Sequence, residues 1–427
     1  MRWKNIMLWA GALCLVANCG GCRAVPVESG AGEREVTIRT VTMFGVGDAN
    51  RTVYNQIRQE FENTYDYITV EDESRTSDEQ WKEQVVADFC VGNEPDVLQF
   101  FTDATANELV DMDKFVTLEE IREEYPEYAA DTYTWALDQV TNEDGVQRAV
   151  PTTGFWEGLY CNQDLFDAYD VPLPTDMESL RYAIEVFREN DIVPIACSLS
   201  HVPHYWMEHF LLYSAGKELY MGPYDQVPQA WEDGLELFAE LRQMGAFPEN
   251  TDSASNEYVQ GLFAQKQAAM LLEGNWYLPR VEDQEQTIVI AFPNISGNKV
   301  EEGTIIGGMT TGFYITRRAW NDPDKRDAAV KYVMAHTGKE AVQRYWENGG
   351  GTATTATEVE PMEDRTPLAK SAEQYLKQVN FQILPTDSRM DPEAYAVLIN
   401  GIMNISHGSP AKALLEQVFA IQNESMK

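Results

Sequence analysis

The tightest constraint on this chain is the order of its first periodic segments. Residues 36–44 form a β-branched run that stops at Gly45, as a strand entering a turn does. Val53, Ile57 and Phe61 then recur at the spacing of one helical face. Residues 68–70 read as a second short strand, Trp81, Val85 and Phe89 mark a second helix, and residues 96–101 a third strand. Strand–helix–strand–helix–strand implies a parallel sheet covered by helices on both faces, an α/β fold.

The pattern resumes after Pro151. Strands are expected at 159–162, 192–196, 268–272, 287–292 and 311–315, and helices at 164–169, 177–189, 229–243 and 255–264. Asp322-Pro323 starts another helix, with the cap before a proline in the first turn. A further helix follows Gly338 and stops at the glycines 349–351, and the tail from Pro367 is expected to be almost wholly helical. At about 100–200 residues per domain, the chain's 427 residues suit two or three units. A late strand and helix beyond the second unit imply interleaved lobes. The ligand cleft is then expected between them, at the carboxyl ends of strands.

Charge narrows the partners. Asp and Glu number 69 against 32 Lys and Arg, a formal net charge of -37. Such a surface repels phosphate backbones, so nucleic-acid binding is not expected. Acidity suits solubility and a neutral or cationic small partner.

The N-terminus reads as an export signal, with Arg2 and Lys4 ahead of an apolar run over 6–17. That run falls short of the ~20 residues a comfortable transmembrane helix needs. Val16-Ala17-Asn18-Cys19-Gly20-Gly21-Cys22 follows, resembling a bacterial lipobox whose cysteine is acylated. Cys19 is favoured as the lipidated residue, with Cys22 the alternative, and residues 23–34 read as a polar tether. Cys90, Cys161 and Cys197 are widely spaced and odd in number, and are expected to be buried thiols, not disulfides.

Catalytic signatures are missing: no G-x-S-x-G, no P-loop, no H-E-x-x-H and no G-x-G-x-x-G opening a helix. His201, His204 and His209 cluster, but Pro203 breaks the face that would gather them, so a helix entry carrying surface histidines is expected and no metal or cofactor. Aromatic residues fall instead at strand-to-loop junctions beside small or polar residues: Phe44 near Asp48, Phe100 and Phe101 before Asp103, Trp156, and Trp276 after Asn275. Rings of this kind usually belong to the core, given the area they bury. Repetition at strand ends with polar neighbours favours a stacking platform. A sugar suits it, packing its apolar C–H face on rings and its hydroxyls on Asp, Asn and Glu.

Several segments resemble the extracellular solute-binding proteins (family 1) that serve sugar ABC transporters, the group that includes maltose-binding protein. They are Glu94-Pro95-Asp96-Val97-Leu98-Gln99-Phe100, Leu159-Tyr160-Cys161-Asn162-Gln163-Asp164-Leu165-Phe166, and the stretch from Gly261 to Met270 running into Gly274-Asn275-Trp276. Gly307-Gly308 and Lys339-Glu340-Ala341 follow in the family's order. The resemblance implies a two-lobe periplasmic-binding-protein fold of type II, closing on ligand about a hinge of several crossings. Lobes are expected at 36–155 with 293–350 and at 156–292 with 351–427, after a signal and lipobox at 1–22 and a tether at 23–35. Carried over by position, Phe100 is a cleft-floor aromatic, Asp103 a hydroxyl-binding carboxylate and Trp276 the principal stacking ring. Phe44, Asp48, Trp156, Asn275 and Tyr395 complete the expected ligand-binding set. The implied function is a non-enzymatic, monomeric lipoprotein on the outer face of the cytoplasmic membrane, passing a carbohydrate to an ABC permease. Two rivals are a secreted glycoside hydrolase using paired carboxylates and a protein of the same fold binding a cationic or peptide ligand.

Overall fold

The structure, a computed structural model, describes residues 34–46, 48–222, 226–295 and 300–425. The expected signal segment and both lipobox cysteines, Cys19 and Cys22, lie outside the described residues. Among the described residues, no helix is long and apolar enough to cross a membrane.

The described residues form ten strands: β1 (Val36–Val41), β2 (Ile68–Asp72), β3 (Val97–Phe101), β4 (Phe155–Asn162), β5 (Val193–Ala196), β6 (Ala268–Gly274), β7 (Thr287–Ile290), β8 (Thr304–Gly308), β9 (Thr311–Ile315) and β10 (Phe381–Ile383). They form two sheets, one ordered β2-β1-β3-β9 and one ordered β10-β8-β4-β6-β5, with β7 also on β4. In the first sheet, β1 runs parallel to β2 and β3, as the strand–helix alternation requires, and β9 returns antiparallel to β3.

Period-two burial sets the core of this sheet. Val97 of β3 and Phe313 and Ile315 of β9 face a layer that holds the Arg51–Thr64 and Pro323–Thr337 helices. Leu98, Phe100 and Tyr314 face the other way, onto Trp81, Val85 and Phe89 of the Glu79–Cys90 helix. In the second sheet, Leu159 and Cys161 of β4 pack on the Met177–Glu189, His204–Met221 and Gln229–Gln243 helices. Trp156 and Tyr160 turn to the opposite layer with Phe263 and Tyr375. The helices Pro392–Ser406 and Ala411–Ser425 add Leu398, Ile402, Leu415 and Phe419 to the larger core.

The chain passes between the sheets along three adjacent segments. Val150 bridges Phe313, Thr153 bridges Thr355, and the Gly154 N–H donates to the Thr354 carbonyl at 2.8 Å. Phe155 pairs with Gly308 at the start of β4. A Cβ on Gly154 would lie 2.5 Å from the Gly308 carbonyl oxygen, so this close approach requires glycine.

Several expectations are corrected. β4 begins at Phe155, which takes Trp156 into the sheet. β8 was not foreseen, and β10 interrupts the tail expected to be helical. Cys90 is exposed while Cys161 and Cys197 are buried; the buried stripe of its helix is Trp81, Val85 and Phe89, which leaves Cys90 off the packed face. His209, expected at the surface, is buried one turn inside its helix. Alkylation of the native protein followed by peptide mapping is therefore expected to modify Cys90 and spare Cys161 and Cys197 until denaturant is added. Equal labelling of all three would contradict this packing.

Candidate ligand-binding site

The site is assembled where two short turns meet. β3 ends at Phe101, and Asp103 caps the turn Ala104–Ala106 by accepting the Thr105 N–H at 3.1 Å. Asp78 caps the Glu79–Cys90 helix through the Trp81 N–H at 2.8 Å, which sets Lys82 in the first turn. The Lys82 ammonium sits 4.6 Å from the centre of the Phe101 ring. Opposite lies the turn Thr386–Ser388. Ser388 donates its hydroxyl to Asp103 Oδ2 at 2.6 Å, and Lys82 donates to Asp387 Oδ2 at 3.2 Å and to Glu79 Oε1 at 2.8 Å.

Charge is unevenly balanced here. Burial, then repulsion from Asp387, raises the Asp103 carboxyl to about 6, although Ser388 and Lys82 favour its ionised form. Burial alone would lower the Lys82 pKa, but Asp387 and Glu79 outweigh it and hold the ammonium above its ordinary range. His204 is depressed by burial, against the pull of Asp387 and Glu79.

The far wall comes from the His204–Met221 helix and from the residues after β6. Tyr205 follows His204, with ring centres 4.4 Å apart, and lies 6.1 Å from the Trp276 indole, which also has Phe155 at 6.0 Å. Trp276 is half-buried and held in place: its Nε1–H donates to Glu273 Oε2 at 2.8 Å. Glu273 Oε1 is fixed in turn by Gln260 at 2.6 Å and Asn256 at 3.1 Å. The indole folds back over Gly274, where a Cβ would come within 2.3 Å of the ring. Glu157 and Glu208 lie behind this wall, both buried and both well above the carboxyl range. Burial is the main cause for each; Glu157 is raised further by Glu273 and Asp387, and Glu208 by Asp387 and Glu157.

The expected site residues divide. Asp103 reaches the meeting of the two turns, and Trp276 lies beside Tyr205, whose ring neighbour His204 feels Asp387 and Glu79. Asp48 accepts the Asn50 N–H at 2.7 Å and feels Arg280, in the turn that carries Trp276; burial raises it to about 6. Asn275 spends its side-chain oxygen on the Trp156 N–H at 3.2 Å, so it braces β4. Phe44, Phe100 and Trp156 are core rings in this structure. Phe44 stacks on Tyr345 at 5.5 Å, Phe100 packs on Trp81 at 5.2 Å, and Trp156 lies against Tyr160 and Tyr375. The Tyr395 ring is buried too, but its hydroxyl feels Asp387 and Glu208 and has no hydrogen-bond partner. Sequence reading missed Lys82, Tyr205, Glu208, Asp387 and Ser388. Only His204-Tyr205-Trp206 carried a signal, a dense aromatic and histidine run. Surface hollows of about 260 Å³ beside Ile57 and Arg344 and about 620 Å³ beside Leu118 and Arg122 lie among other residues. Among the described residues, no group of three His, Cys, Asp or Glu is arranged to hold a metal ion.

Comparison with known proteins bears on this geometry. Residues 56–374 match the family described as bacterial extracellular solute-binding protein. No curated protein matches. Among solved structures, a chitin oligosaccharide binding protein aligns with a TM-score of 0.80 at 20% identity, over 91% of this chain and 98% of that one. The maltose/maltodextrin-binding domain MalE of Bdellovibrio bacteriovorus, bound to maltotriose, gives 0.73 at 16% identity over 91% and 99%. The solute-binding protein RafE in complex with raffinose gives 0.71 at 18% identity over 91% and 99%. At these identities the likeness establishes the two-lobe type II fold.

The Asp103 carboxyl supplies a test. Its folded value of about 6 exceeds the ordinary 3.8, so between these values the folded chain binds more protons than the unfolded one. Stability from this group is therefore present at low pH and lost as pH rises through about 6. Asp103→Asn removes that loss, and its melting temperature relative to the parent is expected to be more favourable at about pH 7.5 than at about pH 4. An offset that is the same at both would contradict the buried, repelled state of Asp103.

Proposed function

We propose that this chain, which belongs to the bacterial extracellular solute-binding proteins, captures a mono- or oligosaccharide and delivers it unaltered to an ABC transporter permease. The observation that carries the reading is the Trp276 indole, half-exposed and locked by Glu273, with Tyr205 beside it and carboxylates within reach. A flat ring offers a pyranose its apolar partner, and carboxylate oxygens accept hydroxyl protons. Structures of the same fold bind maltotriose and raffinose, which supports a sugar here.

The lobes proposed are those that carry the two sheets, hinged at the three adjacent passages near residues 150–155, 308–311 and 352–356. They close as rigid bodies and bring Asp103 and Lys82 against Asp387 and Ser388. The protein is proposed to act as a monomer without turnover, tethered to the outer face of the cytoplasmic membrane by lipid on Cys19, with Cys22 the alternative. Cys19→Ala is then expected to release the protein from the membrane fraction; retention would move the assignment to Cys22.

Binding is tested by calorimetry with a panel of neutral oligosaccharides. Losing the stacking ring and its buried area is expected to weaken binding about tenfold or more in Trp276→Ala. Gly274→Ala, whose methyl would lie 2.3 Å from the indole, is expected to weaken it in the same direction. Unchanged affinity in Trp276→Ala would remove the site assignment.

A further inference from the structure

The acidic wall behind Trp276 holds more buried carboxyl oxygens than its own chain partners. Glu208 is fully buried, and neither carboxylate oxygen has a partner at hydrogen-bond geometry, although Thr386 is its neighbour. Glu157 is also buried and leaves Oε2 unpartnered. The histidine beside it, with Nδ1 at 3.6 Å, donates that N–H to the Tyr205 carbonyl at 2.8 Å. Burial lowers His209 to about 4, so it brings no charge to Glu157 near neutral pH. Asp387 adds an unpartnered Oδ1 from the opposite turn. Lys82 is the cation that acts on Glu208 and Asp103, and it is already bonded to Glu79 and Asp387.

Unpaired buried carboxylates are costly, and each either keeps its proton or meets a cation. A hydroxyl brings one donor and no charge. An ammonium brings three donors and a full positive charge, which would let a buried carboxyl give up its proton and keep a partner. A metal ion fits poorly, because no three-ligand group exists among the described residues. The chain's net charge of -37 further favours a cationic guest at long range.

We propose that the guest carries a protonated amine, as in a 2-amino-2-deoxy sugar or its oligomer, seated against Glu208, Glu157 and Asp387. This rests on the carbohydrate reading and names the class of sugar. Trp276 packs the ring of such a sugar while the acidic wall takes its nitrogen.

The test is calorimetry on the full chain in detergent micelles with three matched oligosaccharides: a glucosamine oligomer, its N-acetylated form and a glucose oligomer. The free amine is expected to bind about tenfold tighter or more than either neutral sugar, the factor that one charge-assisted hydrogen bond supplies. Glu208→Gln should bring that ratio towards one, and Asp387→Asn serves the same purpose if the first variant does not fold. Equal or tighter binding of a neutral oligomer would overturn the inference and leave the carbohydrate reading standing. Failure of all three to bind would also overturn it, and a wider panel of neutral sugars then judges the carbohydrate reading by itself.

Discussion

One lysine and one serine fix where distant parts of this chain meet. Lys82 bonds Asp387 across 305 residues of sequence, and Ser388 bonds Asp103 across 285. Both contacts are partly buried, where attraction is stronger than in water but desolvation takes much of it back. The same seam forces Asp103 and Asp387 together, which works against it. Contacts with so small a net gain suit two halves that separate and close again, because the populations of the two states then answer to a ligand.

That seam is placed by the backbone. Three passages between the sheets lie side by side, and Gly154 lets one touch the Gly308 carbonyl. β4 starts there and pairs with β8, β6 and β7, so its register fixes Trp156, Glu157 and the residues that follow β6. From β6 the chain turns at Gly274 into Trp276, and the Glu273 carboxylate holds that indole in one pose. The pose of this ring is thus a consequence of sheet pairing more than of loop packing. It inherits the rigidity of a buried strand.

The fold was largely legible because its signals are periodic. Val53, Ile57 and Phe61 announce a helix by spacing alone, and the helix Gln229–Gln243 lies at the expected residues. β8 escaped notice because Gly307 and Gly308 dilute its apolar run. The site was less legible. Resemblance pointed to Asp103 and Trp276, whose part in binding is proposed; Phe100 and Trp156 lie near strand ends and Phe44 beyond the end of β1, and their rings turn into the core. A strand alternates faces at every residue, so position at a strand end does not say which way a ring points. Asp387 and Ser388 sit in a short turn with no periodicity, and Lys82 looks like any helix-surface lysine. Only three-dimensional proximity gives them meaning.

The decisive question is where the guest lies. A crystal structure with the tightest-binding oligosaccharide measures this directly. A sugar ring is expected against the Trp276 indole, with its polar groups on Asp103, Asp387 or the buried glutamates. A guest seated elsewhere, with Trp276 and the Asp103–Ser388 contact unchanged from the free protein, would contradict it.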